Sequence, residues 1–234
     1  AGAARTLRFV GIGQSAIYQA LHGPVAVEAD VTLTSQFEGE RVDVTFSLAG
    51  RSERDWARLD ALEARVRQHL GDHVYANDGA SLEEAVARAL AARGERLVVL
   101  DAVAGGQFFA HLSLARSAAA VLRAGIAAPD TAGLARALGG AEPGGDASDP
   151  AAGRWDQLVT GARTRLGAPG TSVLILGEPA PGNDTDTTFP VVWDRGDGTR
   201  IVGELRGSGS TESSRARLIT GLLNWLRQRL SSAN

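Results

Sequence analysis

Leu97-Val98-Val99-Leu100-Asp101-Ala102-Val103-Ala104-Gly105-Gly106 is the stretch that decides the fold. Four consecutive branched apolar residues read as a strand buried on both faces, and the paired glycines after it as a turn into a helix. A strand buried on both sides needs helices above and below it. The flanking sequence supplies them. Upstream, Ser81-Leu82-Glu83-Glu84 reads as a capping box opening a helix that stops near Gly94. Downstream, the pattern predicts a strand over 121–128, a short helix over 131–138 and a flexible loop over 139–153. A helix over 155–166, a buried strand over 173–176 and a turn-rich loop over 178–190 follow. Strands around 191–193 and 200–205 precede a last helix, capped near Ser210, that buries Leu218, Ile219, Leu222, Trp225, Leu226 and Leu230. Residues 77–234 are therefore expected to form an α/β layered sandwich.

Residues 1–76 have a different rhythm. Thr6-Leu7-Arg8-Phe9-Val10 reads as a short strand, and a helix is expected over 15–21. Val25, Val27, Ala29, Val31 and Leu33 alternate with polar residues, as a half-buried strand does. The alternation resumes after a turn at Phe37-Glu38-Gly39 with Val42, Val44, Phe46 and Leu48. Ser52 with Asp55 caps a helix whose buried stripe is Trp56, Leu59, Leu62, Val66 and Leu70. This predicts a compact α+β unit, with a break at Asn77-Asp78-Gly79.

Composition excludes several chemistries. All 24 basic side chains are arginine, Cys and Met are absent, and Tyr18 and Tyr75 are the two tyrosines. No thiolate nucleophile or metal site, Schiff-base lysine, Ser–Lys dyad or P-loop lysine can exist. His22, His69, His73 and His111 show no metal-ligand spacing, because Gly71 interrupts the His69/His73 pair at a helix end. No metal and no cofactor are expected. The net charge is −3, with 8 Arg against 10 acids over 1–76 and 16 against 17 over 77–234. Neither part has the basic excess that nucleic-acid binding uses. No apolar run approaches a membrane span and no secretory signal is present, which points to the cytoplasm. The missing initiator Met implies a processed chain or a piece of a longer one.

Three glycine-bearing turns are candidate sites. Gly11-Ile12-Gly13-Gln14-Ser15-Ala16 has the G-x-G-x-x-A spacing of a dinucleotide fingerprint, with Glu28 and Asp30 where a ribose-binding acid would stand. Its context is wrong: the next strand leads by a short turn into an antiparallel partner, not into a crossover helix, and both acids sit on a polar strand face. Asp101 with Gly105 and Gly106 lies where open α/β sheets place ligands, with backbone N–H groups gathered for an anion. Gly177, Pro181, Gly182 and Thr185 follow a second buried strand, so the two loops could share one pocket edge. Neither offers a nucleophile with a base.

The succession of motifs resembles the competence/damage-inducible CinA family along essentially all 234 residues. Arg5 to Ser15 resembles the Gly-Ile-Gly-Glu-Ser opening of that family's KH-like linking domain. Leu70-Gly71-Asp72-His73-Val74-Tyr75-Ala76 resembles its close, and Ser81 to Glu84 the first helix of the C-terminal domain, which has a nicotinamide mononucleotide amidohydrolase fold. The resemblance implies a KH-like domain over 1–76 and an amidohydrolase-like domain over 77–234. The family's Ala-Glu-Ser-Cys-Thr-Gly-Gly run lines up with Leu100 to Gly106, which puts Ala102 at the nucleophile position. The family's tyrosine and lysine positions become Pro129 and Leu134. Its glycine-rich loop matches 176–185, keeping Gly177, Pro181, Gly182 and Thr185.

An amidase of this kind needs an activated hydroxyl and a base to take its proton; Ala102, Val103 and Ala104 offer no hydroxyl. The expectation is a catalytically degenerate protein with a binding or assembly role. The alternative is a nicotinamide mononucleotide amidohydrolase of pyridine nucleotide salvage, working through Asp101, Glu178 and a water. By resemblance the chain is a homodimer, a recombinase or a nucleotide is its partner, and an N-terminal domain of the family is missing. A KH module binds nucleic acid through a Gly-x-x-Gly loop between helices, and the sequence has no such loop there.

Overall fold

The computed structural model describes residues 2–140, 150–167, 170–179, 187–207 and 212–232. The chain begins with β1 (Ala3–Val10), α1 (Gln14–His22), β2 (Thr32–Glu38), β3 (Arg41–Leu48), α2 (Glu53–Leu70) and the short β4 (Val74–Ala76). These strands form one sheet in the order β2-β3-β1-β4, with every neighbouring pair antiparallel. A β-α-β-β-α-β chain in that order is a split β-α-β arrangement. Strand β3 alternates strictly, burying Val42, Val44, Phe46 and Leu48 against the helices. Helix α2 starts with a complete capping box: Ser52 accepts from the Asp55 N–H, and the Asp55 carboxylate accepts from the Ser52 N–H. The stripe expected from its sequence is buried at Leu59, Leu62, Val66 and Leu70.

One expected strand is displaced, running over Thr32–Glu38 instead of starting at Val25. Val25 and Val31 are buried as predicted, but the backbone before Thr32 is irregular. Ala26 adopts a left-handed φ of 50°. The N–H groups of Val25 and Val27 donate to Ala20 and Leu21 carbonyls, closing the C-terminal turn of α1. The period-two pattern belongs to a capping segment lying on the core.

The second part comprises α3 (Leu82–Ala92), β5 (Leu97–Asp101), α4 (Gln107–Ser113), α5 (Ala118–Val121), β6 (Leu122–Ala127), α6 (Thr131–Ala137) and α7 (Pro150–Leu166). It continues through β7 (Ser172–Leu176), β8 (Thr187–Asp194), β9 (Arg200–Gly207) and α8 (Glu212–Ser232). The sheet order is β6-β5-β7-β8-β9, parallel at β6-β5-β7 and antiparallel beyond. Both faces are covered. Leu97 and Val99 of β5, with Leu174 and Leu176 of β7, pack with α3, α4 and α8; Val98, Leu100, Val173 and Ile175 pack with α6 and α7. Complete burial of β5 and β7 explains their unbroken apolar runs.

Boundaries differ from the sequence reading where local signals are weak. Helix α7 begins at Pro150, within the expected loop, and Thr187–Pro190 of the expected second loop are strand. The cap expected near Ser210 lies outside the described residues. Ser81 accepts from the Glu84 N–H, but Glu84 does not reciprocate: its carboxylate accepts from the N–H and hydroxyl of Ser117, 33 residues away. Half of that capping box is spent on tying α3 to α5.

The two sheets meet along a polar seam. Arg41 of β3 forms a two-pronged ion pair with Glu83 of α3 at 2.6 and 3.1 Å. Arg8 donates to the Ala80 carbonyl at 3.2 Å, and Val10 is buried in the core of the second sheet.

Candidate functional site

The carboxyl ends of β5 and β7 lie side by side, where an open α/β sheet presents its loops. The turn after β5 has the expected shape: Gly105 and Gly106 take left-handed φ of 64° and 83°, and α4 starts immediately after. What fills the turn was not foreseen. One oxygen of the Asp101 carboxylate accepts from the N–H groups of Val103 and Ala104 at 2.9 and 2.6 Å, and the other from Gly106 at 2.7 Å. Asp101 is 1% exposed. Three of the amides expected to cradle an anion, those of Val103, Ala104 and Gly106, are satisfied by the chain's own carboxylate, a charge-assisted arrangement stronger than neutral hydrogen bonds. The turn is sealed from within.

Ala102 is buried beside it, and its N–H donates to Leu176 at 2.9 Å, so sheet pairing runs on past the strand end. Its side chain belongs to an apolar cluster with Leu134 of α6 and Trp155 of α7. Of the three positions that the resemblance aligns with catalytic residues, the structure gathers Ala102 and Leu134 into one apolar cluster, while Pro129 stays exposed on the loop before α6.

Glu178, after β7, is equally committed. Its carboxylate accepts from the N–H and hydroxyl of Thr131 at 3.0 and 2.7 Å and faces Arg154 at 3.4 Å. Asp130 accepts from the Gly133 N–H at 2.6 Å, so two carboxylates complement the first turn of α6. The Asp101–Glu178 pair expected to hold a water therefore has each acid engaged in holding a helix start. Gly177 is needed for close approach: a Cβ there would stand 2.7 Å from the Trp155 ring and 3.0 Å from Pro190. Pro181, Gly182 and Thr185 lie outside the described residues.

The Gly11-Ile12-Gly13 turn has its own explanation. Gly11 has φ +70°, and a Cβ would come 2.7 Å from the Asn224 amide of α8. Gly11 therefore admits α8 to the seam. Glu28 and Asp30 precede β2 and pair with Arg65 at 2.8 Å and Arg58 at 2.6 Å. Burial pushes the Glu28 carboxyl up, but its hydrogen bonds and Arg65 hold it below its ordinary value; the Arg58 bond does the same for exposed Asp30.

His73 Nδ1 lies 3.3 Å from the Val10 carbonyl. Among the described residues no group of three or more His, Cys, Asp or Glu side chains could hold a metal, and no helix is long and apolar enough to cross a membrane. Sequence reasoning missed Glu84, Arg154 and the Arg41–Glu83 pair, whose partners are 23 to 42 residues distant except for the Arg88 contact of Glu84.

Fold and site define a two-sheet, mixed α/β protein with a sealed turn at the carboxyl edge of its larger sheet. No family model matches the sequence. Curated relatives do. The chain is similar to a putative competence-damage inducible protein of Symbiobacterium thermophilum, 36% identical over 103 residues, which is 44% of this chain and 24% of that protein. It is also similar to a CinA-like protein of Mycobacterium marinum, 26% identical over 240 residues, 97% of this chain and 54% of that protein. The chain therefore spans about half the length of the latter. These names support the CinA resemblance drawn from the residues. CinA-superfamily crystal structures from Klebsiella pneumoniae and Escherichia coli are 23% and 20% identical, with TM-scores of 0.46 and 0.49. They cover 64% and 63% of this chain, and 96% and 88% of those chains, likenesses too loose to carry an argument.

Proposed function

We propose that this chain is a catalytically degenerate CinA-family protein, with a KH-like module over 1–76 and an amidohydrolase-like module over 77–234, acting in binding or assembly linked to competence or the DNA damage response. The observation that carries the reading is the state of the strand-end site. The position matching the family's nucleophile is Ala102, buried in an apolar cluster with Leu134, and the adjacent amides are occupied by Asp101. Hydrolysis of a carboxamide needs an activated nucleophile and stabilisation of the oxyanion that forms. A buried methyl group offers the first nothing to start from, and the N–H groups of Val103, Ala104 and Gly106 are already bonded to a carboxylate rather than free for the second.

The test is incubation of the protein with nicotinamide mononucleotide and chromatography for nicotinate mononucleotide. No product above a protein-free blank is expected. Sustained turnover that Glu178→Gln abolishes would instead establish the displaced Asp101–Glu178 amidase. A homodimer and a recombinase partner belong to the same proposal; light scattering at micromolar protein reads the first, with a monomer mass counting against it.

A further inference from the structure

A cleft of about 640 Å³ opens along the seam, between the end of α2 and the last two turns of α8. Three guanidinium groups line it: Arg67, Arg227 and Arg229, with Asp72 as the one acidic residue in its wall; the Nε of Arg67 is paired with Glu63 at 2.8 Å, which leaves its terminal nitrogens for the cleft. Two of them are charges without acidic contacts. Arg227 is 8% exposed and donates to neutral oxygens: the Asp72 and Val74 carbonyls and the Asn224 side chain. Arg229 donates to the Trp225 carbonyl at 3.2 Å and stacks 3.9 Å over the Trp225 ring. Among the described residues, neither has a carboxylate within ion-pair distance, whereas Arg41, Arg58, Arg65, Arg163 and Arg200 all do. Burial lowers the affinity of both groups for their proton, opposed at Arg227 by the nearby charge of Asp72.

Cations at a helix C-terminus complement its dipole, which accounts in part for Arg229. It does not account for Arg227, whose bonds cross to the other sheet's closing turn. Taking a cation out of water without an anion is costly. Two neighbouring cations without an acidic partner, one of them 8% exposed, around an open polar cleft leave room for an anion there.

We propose that this seam cleft binds a phosphorylated small molecule, its phosphate held by the guanidinium groups of Arg229 and Arg67 against the buried charge of Arg227. Guanidinium forks match phosphate oxygens, and an anion offsets the positive charge that Asp72 and Glu63 leave on the three arginines. The volume suits a small phosphorylated metabolite better than a bare ion. Because one wall is α2 and the other α8, the bound ligand would clamp the two sheets together. The proposal does not depend on the strand-end reading, since no residue is shared.

The experiment is isothermal titration of the whole chain with inorganic pyrophosphate at low ionic strength, for the wild type, Arg229→Gln and Arg67→Gln. Arg227 is left intact because it bridges the sheets. Saturable binding that each variant weakens about tenfold or more, with ligand-free melting unchanged, is the expected result. Absence of binding at millimolar pyrophosphate, or equal affinity in wild type and variants, would overturn it and leave the arginines as helix-terminal caps.

Discussion

Two glycine turns in this chain connect a strand to a helix, and each has the form of an anion or nucleotide loop. Gly11-Ile12-Gly13 stands at the end of an antiparallel strand, and its first glycine makes room for Asn224 of α8. Gly105-Gly106 stands at the end of a central parallel strand, with open space beside Gly105, and its amides close on Asp101. The same residue type meets different demands: close approach of another element in the first turn, and backbone geometry around an internal anion in the second. Glycine spacing therefore carries less information than the identity of the group that uses the space.

The largest effect is expected where the second turn is broken. Asp101→Ala leaves three N–H groups without their acceptor, one buried and two part-buried, a loss of about 3–5 kcal/mol in urea unfolding, a large share of the stability of a native protein. A loss under about 1 kcal/mol would mean that the carboxylate is dispensable there.

Next comes the ion pair across the seam that the first turn adjoins. Arg41→Met removes the partner of Glu83, whose side chain is 8% exposed, and should cost about 2–3 kcal/mol. Burial pushes the Glu83 carboxyl up, but bonds and charge from Arg41 bring it below its ordinary value of 4.5. A depressed carboxyl contributes stability above pH 4.5 that is lost as pH falls through the folded-state value. Acid titration followed by circular dichroism should show wild-type stability falling below pH 4.5, with that component absent in Arg41→Met.

The smaller effects compare the turns directly. Gly11→Ala meets both a left-handed backbone and the Asn224 amide, and is expected to cost about 2 kcal/mol. Gly105→Ala meets the backbone restriction alone, with nothing within 4 Å of its Cβ, and should cost about 1 kcal/mol. Equal losses in parallel melts would remove the distinction between a docking glycine and a turn glycine.

Much of this was legible in the sequence because it is local. The Ser52–Asp55 box spans three residues, and the stripe of α2 and the runs of β5 and β7 declare themselves by periodicity. Asp101 could have been recognised as its turn's own acceptor, since its partners lie two to five residues on. Glu84 and Arg41 could not, because Ser117 and Glu83 are brought to them by tertiary folding. Val25 to Val31 shows the opposite failure: strand-like alternation arose from a segment that buries Val25 and Val31 while the N–H groups of Val25 and Val27 close α1.

The sealed turn is the central claim, and amide hydrogen exchange at Val103, Ala104 and Gly106 reads it most directly. With Asp101 holding all three, their exchange should be protected to near the global unfolding free energy and unaltered by nicotinamide mononucleotide. Rapid exchange of these amides in the free protein, slowed when nicotinamide mononucleotide is added, would show an open anion site and contradict the account.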